Sequence, residues 1–386
     1  MKQNPKFHKW VIAIILFISI TGAVLIFSIW LNHYSSIYVI GPSVETEERF
    51  PAWSPDGKYI AFTCGFSYVS DGWDDRSWNN PLWRPETYEV CVVDLATRQL
   101  KRLTYGREKW RPFWSPDGRM LLWKDLGNKK IILFDFEHQK TLAKIPNDSQ
   151  CRYYFWTQDN KSIISECGDF SLNLSTMESS TTLPLFSSLN PRDVIDVHFS
   201  PDTKYVASSQ EDVLVVLKKE REFFKSNFFI SADPITWSPD SSILLFSKGI
   251  DTENTDIVEI GFLHVPTKEI VWYKGENIWG LYDVFWSPNG DKIAYQTGDT
   301  IEVIEFKFKT NPFSYVVVEK KSYPINYGQN EISLTWSPDE KYIAFVASVP
   351  VGEEKIKAEA SEMYYVWPKI QLLNLETGLQ SFLVDQ

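Results

Sequence analysis

The sequence predicts an all-β protein: a seven-bladed β-propeller of four-stranded antiparallel blades, preceded by one N-terminal transmembrane helix. Three observations lead there. A hairpin-forming unit recurs seven times, further strand pattern follows each copy, and a long uncharged apolar run lies near the N-terminus. Repeats spaced roughly 40 to 60 residues apart indicate a solenoid or propeller, so the 386 residues need not divide into several domains.

The first element is Trp10 to Leu31, "WVIAIILFISITGAVLIFSIWL", 22 residues without a charge. At about 1.5 Å per residue such a helix crosses a hydrocarbon core of about 30 Å. A cleaved signal peptide is the competing reading, but its apolar core usually spans about 7 to 15 residues and ends at an A-x-A-like site, which is missing here. Lys2, Lys6 and Lys9 precede the run and no Lys or Arg closely follows it. The positive-inside rule then makes residues 1–9 a cytoplasmic stub and puts the rest outside the cytoplasm. Residues 32–48 read as a linker, although "IYVI" at Ile37 to Ile40 could add a closing strand, and 49–386 as the propeller.

The repeating unit begins with "FPAWSPDGKYIAF" from Phe50 and ends with "SLTWSPDEKYIAF" from Ser333. Its aromatic anchors are Trp53, Trp114, Trp156, Phe199, Trp237, Trp286 and Trp336. Each copy parses as strand, tight turn, strand. Proline presets φ in the turn and Gly supplies the left-handed conformation that closes a type I turn with a bulge. Asp56 and Asp117 are suited to accept hydrogen bonds from their own turn's amides. Gly gives way to Asn160, Thr203, Ser241 and Glu340; Asn tolerates positive φ, but Thr does so poorly. At Thr203 the turn either changes type or carries strain of about 1 kcal/mol or more. Third and fourth strands follow, as in "YEVCVVDLATRQLKRLT", turning at Ala96 and Thr97. Four such strands cannot bury both faces of their sheet alone, and the anchor is expected to wedge between neighbouring blades.

The "WSPDG-K-x-I-A-F" units resemble the repeats of the TolB-like β-propeller family, the Pro-Asp cousins of WD-repeat propellers. The resemblance runs from about Phe50 to the C-terminus. It implies a propeller scaffold. TolB itself joins a six-bladed propeller to an α/β domain, whereas seven anchors and no second domain are found here, so TolB's own role is not implied.

Charge narrows the partners. The net charge is −11, and setting aside the three lysines before Ser35 leaves −14. An acidic globule without a basic stripe repels phosphate backbones, which argues against nucleic acid. Four cysteines suit an oxidising compartment: Cys64 with Cys91 and Cys151 with Cys167 are placed for disulfides within blades, buried free thiols being the other reading.

Function is expected from the loops. Two connections between second and third strands are enlarged, Gly65 to Thr87 and Ser348 to Pro368, and in a closed ring they meet on one face. The first carries Tyr68, Trp73, Trp78 and Trp83 among Asp71, Asp74 and Asp75. Aromatic platforms beside carboxylates suit sugars or peptide side chains, although the same rings could simply pack the loop down. Residues entering the first strands form a second candidate set. They are Arg49, Arg111 and Arg152, then Asp196, Asp233 and Asp283. Pointing inward they would give the channel mouth a basic and an acidic side; ordinary solvated strand ends explain them equally well.

No nucleophile elbow, H-E-x-x-H or phosphate loop is present, and nothing in the sequence asks for a metal or cofactor. The expectation is therefore a membrane-anchored, extracytoplasmic module, not an enzyme, that binds or scaffolds a protein, peptide or glycan. Glycan hydrolase or lyase, accessory propeller of a prolyl-peptidase-like system, and self-associating envelope component are the alternatives.

Overall fold

A computed structural model of the chain describes residues 37–38, 46–66, 69–70, 87–105, 109–146, 154–157, 159–165, 171–174, 178–180, 195–210, 212–218, 221–230, 234–249, 257–273, 278–279, 281, 284–325, 333–350, 356–358, 361–363 and 366–384. The apolar run 10–31 lies outside them. None of the described residues is helical.

The described strands form seven large antiparallel sheets and two small two-stranded ones. Sheet 1 consists of Thr46–Trp53, Tyr59–Phe66, Thr87–Asp94 and Leu100–Arg102, paired in that order. Sheets 2 to 6 draw their strands from 109–146, 154–180, 195–229, 235–279 and 285–324. Sheet 7 consists of Leu334–Trp336, Tyr342–Pro350, Val366–Asn374 and Gln380–Phe382. Each has four strands except sheet 5, where Ile278–Trp279 adds a fifth by pairing with Ile257–His264.

Alternation within the middle strands explains why no sheet stands alone. In sheet 1, Cys91 and Val93 face one neighbour while Val90 and Val92 face the other. Successive side chains leave a strand on opposite faces, so a run such as "VCVV" needs apolar cover on both sides. The cover comes from seven apolar clusters, each shared by two successive sheets. The one holding Ile60, Phe62, Ala344, Ile370 and Leu383 joins sheet 7 back to sheet 1.

The recurring turn has one design. In sheet 1, Tyr59 N–H donates to Ser54 Oγ (2.9 Å), whose hydroxyl donates to Asp56 Oδ1 (2.6 Å), and that oxygen also accepts from Lys58 N–H (3.1 Å). Sheets 2, 4, 5 and 7 repeat this through Ser115, Ser200, Ser238 and Ser337, and sheet 3 through Thr157. In sheet 6 the sequence is "SPNGD", and Ser287 reaches Asp291 instead (3.2 Å). The turn keeps its shape where Gly is replaced: φ is +71°, +72° and +75° at Gly57, Gly118 and Gly290, and +56°, +59°, +64° and +57° at Asn160, Thr203, Ser241 and Glu340. Thr203 therefore takes the strained conformation in an unchanged turn.

Anchor side chains sit at the seams. The indole N–H of Trp114 donates to Ala52 O (3.0 Å), Trp237 to His198 O (2.9 Å), Trp286 to Thr236 O (3.4 Å) and Trp336 to Phe285 O (3.1 Å). Each acceptor is the residue just before the preceding sheet's anchor. Turns touch in the same cyclic order: a Cβ on Gly118 would meet Pro55, one on Gly290 would meet Pro239, and one on Gly57 would meet Pro338 of sheet 7.

Strand occurs within residues 32–48, which the sequence reads as a linker with a possible strand at "IYVI". Ile37–Tyr38 is a strand, antiparallel to Val69–Ser70 inside the first insertion, and the first strand of sheet 1 already begins at Thr46.

Candidate binding face

The sheets present two ends. One carries the Ser-Pro-Asp turns, whose carboxylates are occupied within their own hairpins. Burial alone would raise the pKa of Asp56, Asp202, Asp240 and Asp339, but hydrogen bonds from the turn hydroxyl and the following amide outweigh it and hold each below the ordinary value. Between sheets 1 and 7 this end has a cleft of about 360 Å³, lined by Trp53, Asp56, Arg98, Asp339 and Tyr342 among others.

The opposite end carries the insertions. Phe66 and Thr87, where the first departs and returns, pair with each other, and Thr46 pairs with Phe66. The second departs after Pro350 and returns at Val366, which pair likewise. It contains a short hairpin of its own, Ile356–Ala358 with Ser361–Met363. The first strand of sheet 1 contacts Val366–Asn374 of sheet 7, so the two roots adjoin.

Below the first root lies an aromatic and cationic patch. Phe50 and Trp110, sixty residues apart in sequence, meet at a tilt of 59° with ring centroids 4.7 Å apart, and Tyr88 meets Trp110 edge-on at 6.1 Å. The Arg111 guanidinium lies over Phe50 at 5.3 Å and Phe113 at 5.6 Å. Phe50 and Arg111 both stand three residues before an anchor, at bulges, with φ of +54° and +47°. Bulky residues rarely adopt that conformation, which costs about 1 to 2 kcal/mol apiece. At Arg111 the distortion aims the backbone N–H at the buried Thr63 hydroxyl (3.0 Å). A half-buried cation on aromatic rings offers stacking area together with a charge for an anionic or polar group.

Two buried ion pairs support the patch. Glu89 is fully buried; Arg102 Nη2 reaches its Oε1 (3.0 Å) and the Thr104 hydroxyl donates to its Oε2. Lys109 Nζ lies 3.0 Å from Asp125 Oδ2, and Asn128 donates to the same carboxylate from its backbone and its amide. Burial pushes the Asp125 pKa up, but the bonds from Asn128 and Lys109 win and lower it. Buried charges are retained only when so compensated, so both pairs act as braces for the strands at the insertion root. The disulfide between Cys64 and Cys91 ties that root across the second and third strands.

Of the sequence-derived candidates, Arg111 belongs to this patch and Arg49 stands beside it in the same strand as Phe50. Asp196 lies in the strand Ile195–Phe199, its side chain outside the described residues. Tyr68, Asp71, Trp73, Asp74, Asp75, Trp78, Trp83, Arg152, Asp233 and Asp283 lie outside the described residues, as do Cys151 and Cys167. Sequence reasoning missed Phe50, Tyr88, Trp110 and the two ion pairs. The available signal was Glu89 and Lys109, charges set where the strand pattern calls for buried positions.

Among the described residues no three His, Cys, Asp or Glu side chains converge as metal ligands would. His264 stacks on Phe313 (4.9 Å) and hydrogen-bonds Thr267 (2.8 Å), its pKa lowered by burial, and His138 pairs with Asp135 in an exposed turn.

No family model matches the sequence, and no curated protein does. Solved structures do. The chain is similar to an oligogalacturonate lyase determined in complex with manganese, at 14% identity and TM-score 0.56 over 80% of this chain and 88% of that one. It is similar to the oligogalacturonate lyase of Vibrio parahaemolyticus, at 13% and 0.53 over 80% and 89%. The β-propeller domain of Myceliophteria thermophila Cps50 gives 12% and 0.52 over 80% and 96%. At these identities the likeness speaks for the fold alone, and the fold of this chain is that of a β-propeller.

Proposed function

We propose that the chain is a seven-bladed, TolB-like propeller held to a membrane by residues 10–31, its propeller outside the cytoplasm, and that it binds or scaffolds a protein, peptide or glycan through its insertion-bearing end. The observation that carries this reading is the core shared by sheets 7 and 1. It brings the roots of two insertions almost 300 residues apart in sequence side by side, next to the Phe50, Trp110 and Arg111 patch. Aromatic area with a few fixed charges is the usual make-up of a recognition surface. The test compares the full chain with a variant in which residues 67–86 are replaced by a short Gly-Ser turn, leaving the disulfide and strand ends intact, on peptide and glycan arrays. Ligands that bind the first and not the second support the reading. Equal binding by both removes the insertion from it.

A second reading, a glycan lyase or hydrolase, is favoured by the fold shared with two oligogalacturonate lyases. The described residues do not fit the manganese of the first, since no ligand set converges. Incubation with oligogalacturonate and chain-length analysis of the products decides it: no shortening eliminates this substrate, and shortening that survives replacement of Asp71, Asp74 and Asp75 excludes them as catalytic residues.

A further inference from the structure

The last strand of sheet 6, Phe313–Pro324, stands at the sheet's edge with 12 residues, whereas the fourth strands of the other sheets do not exceed nine. Its sequence, "FSYVVVEKKSYP", suits that length: β-branched and aromatic residues fill it, Gly is absent and Pro comes last. It pairs with Thr300–Thr310 throughout, but Lys292–Thr297 supports that strand on the other side only as far as Glu305. Residues 306–317 therefore form a two-stranded arm. One face of the arm lies on sheet 5: Phe306 and Phe313 are buried in a cluster with Phe262, the Phe313 ring stacks on His264 (4.9 Å), and the Tyr315 hydroxyl donates to Trp272 O (3.0 Å). The arm is thus held in place, and what it presents outward is fixed.

Outward it presents valine. Val316, Val317 and Val318 are 52%, 38% and 55% exposed. Alternation puts neighbours on opposite faces, so three exposed in succession leave apolar surface on both. Among the described residues no strand pairs with the free edge on which they lie. Long apolar edges recruit other strands, and proteins usually blunt them with charge or a bulge. Here both devices come late in the strand: a bulge leaves Val318 unmatched between Val317 and Glu319, and Lys320 and Lys321 follow. Ser314 to Val317 precede them and carry neither.

We propose that this edge pairs with the same edge of a second copy of the chain, antiparallel and centred on Val316. That register sets Val316 against its own copy, Tyr315 against Val317 and Ser314 against Val318. Glu319, Lys320 and Lys321 then run past the valines of the other copy, toward its Phe313 and the turn at Asn311 and Pro312. No charge in either strand faces a like charge, whereas parallel pairing in register would oppose all three to themselves. A two-fold axis thus makes the segment its own complement, which is what selects a second copy as the occupant. Lys307, which pairs with Val316 inside the arm, would stand three strand spacings from its copy. That is about 14 Å, beyond the Debye length of about 8 Å at physiological salt. So short a pairing buries less than the roughly 1,200 Å² at which standard interfaces begin, so the dimer is weak and depends on concentration. The proposal stands apart from the insertion-end reading, since the patch of sheets 1 and 2 takes no part in it.

The test uses the full chain in detergent solution and three substitutions at exposed side chains, Val316→Cys, Val316→Lys and Leu379→Cys. The mass of the unaltered chain by light scattering should rise toward twice the monomer as concentration increases. Val316→Lys, which sets two ammonium groups face to face, should remain monomeric with an unchanged melting temperature. A short bismaleimide should give several-fold more covalent dimer from Val316→Cys than from Leu379→Cys, whose side chain is 72% exposed just before the last strand of sheet 7. The unaltered chain sets the background from its own cysteines. A monomer at every concentration overturns the proposal. So does a dimer that survives Val316→Lys, or that cross-links no better at position 316 than at 379, because it is then held through another surface.

Discussion

At the scale of single residues, the fourth turn position shows how a local penalty is tolerated. Gly fits φ near +70° without cost, whereas a β-branched side chain does not. Thr203 and Ser241 take nearly the same conformation, but the Ser241 hydroxyl accepts from Asp202 N–H of the preceding sheet (3.0 Å). Glu340 is used similarly, accepting from Asn289 N–H (2.8 Å) and pairing with Lys292 (2.6 Å) across the seam between sheets 6 and 7. The same substitution should therefore act oppositely at two sites. Thr203→Gly should stabilise by about 1 kcal/mol, from relief of left-handed strain. Ser241→Gly should be neutral or destabilising by up to about 1 kcal/mol, because strain relief is offset by an amide left unpaired. Denaturant midpoints at constant slope measure both, and equal stabilisation by the two would show that the cross-sheet bond contributes nothing.

At the scale of elements, the seam matters more than the sheet. Four anchors lock successive sheets by donating an indole N–H to the strand before them. At the seam where sheet 1 meets sheet 7 the lock is missing: the buried Trp53 N–H has no acceptor among the described residues. Trp237→Phe, which strips His198 O of its donor, should cost about 1 to 2 kcal/mol beyond the loss of ring area. Trp53→Phe removes a donor that was already unsatisfied, so it should cost only the ring area. Paired equilibrium unfolding of the two variants checks this, and a larger loss at Trp53 would contradict it. Phe199, the anchor of sheet 4, has no indole N–H to donate, and its ring is buried in the cluster shared with sheet 3.

At the scale of the whole molecule, stability depends on the junction between sheets 7 and 1. Leu383 lies near the C-terminus yet is fully buried in the core joining sheets 7 and 1. Its N–H donates to Ile370 O (2.9 Å) and its carbonyl accepts from Arg98 (3.3 Å). Leu383→Ala should cost about 2 to 5 kcal/mol, as buried leucines do. Leu379→Ala, four residues earlier on a side chain 72% exposed, should stay within about 0.5 kcal/mol. If the two behaved alike, the junction of sheets 7 and 1 would not belong to a single cooperative structure. Closure also gives the molecule its two unlike ends, one of uniform turns and one of insertions.

Legibility in the sequence followed the range of the interactions. The hairpins, the Asp-capped turns and the positions of the anchors are set by neighbours within about six residues, so each repeat displayed its chemistry wherever it occurred. The disulfide of Cys64 with Cys91 was legible only as one of two readings, because a bond depends on how two strands register. The patch of Phe50, Tyr88, Trp110 and Arg111 could not be read, since its members come from two sheets and converge through bulges that alternation does not announce. Nor did "IYVI" reveal that Ile37 and Tyr38 pair with residues more than thirty positions away. By itself the sequence determined the repeating unit, through local turn chemistry and a strand alternation that leaves both faces of every sheet apolar. Only the tertiary structure decided which face covers which, that sheet 7 covers sheet 1, and what gathers at the insertion end, because burial in a ring is settled between sheets and not within any one of them.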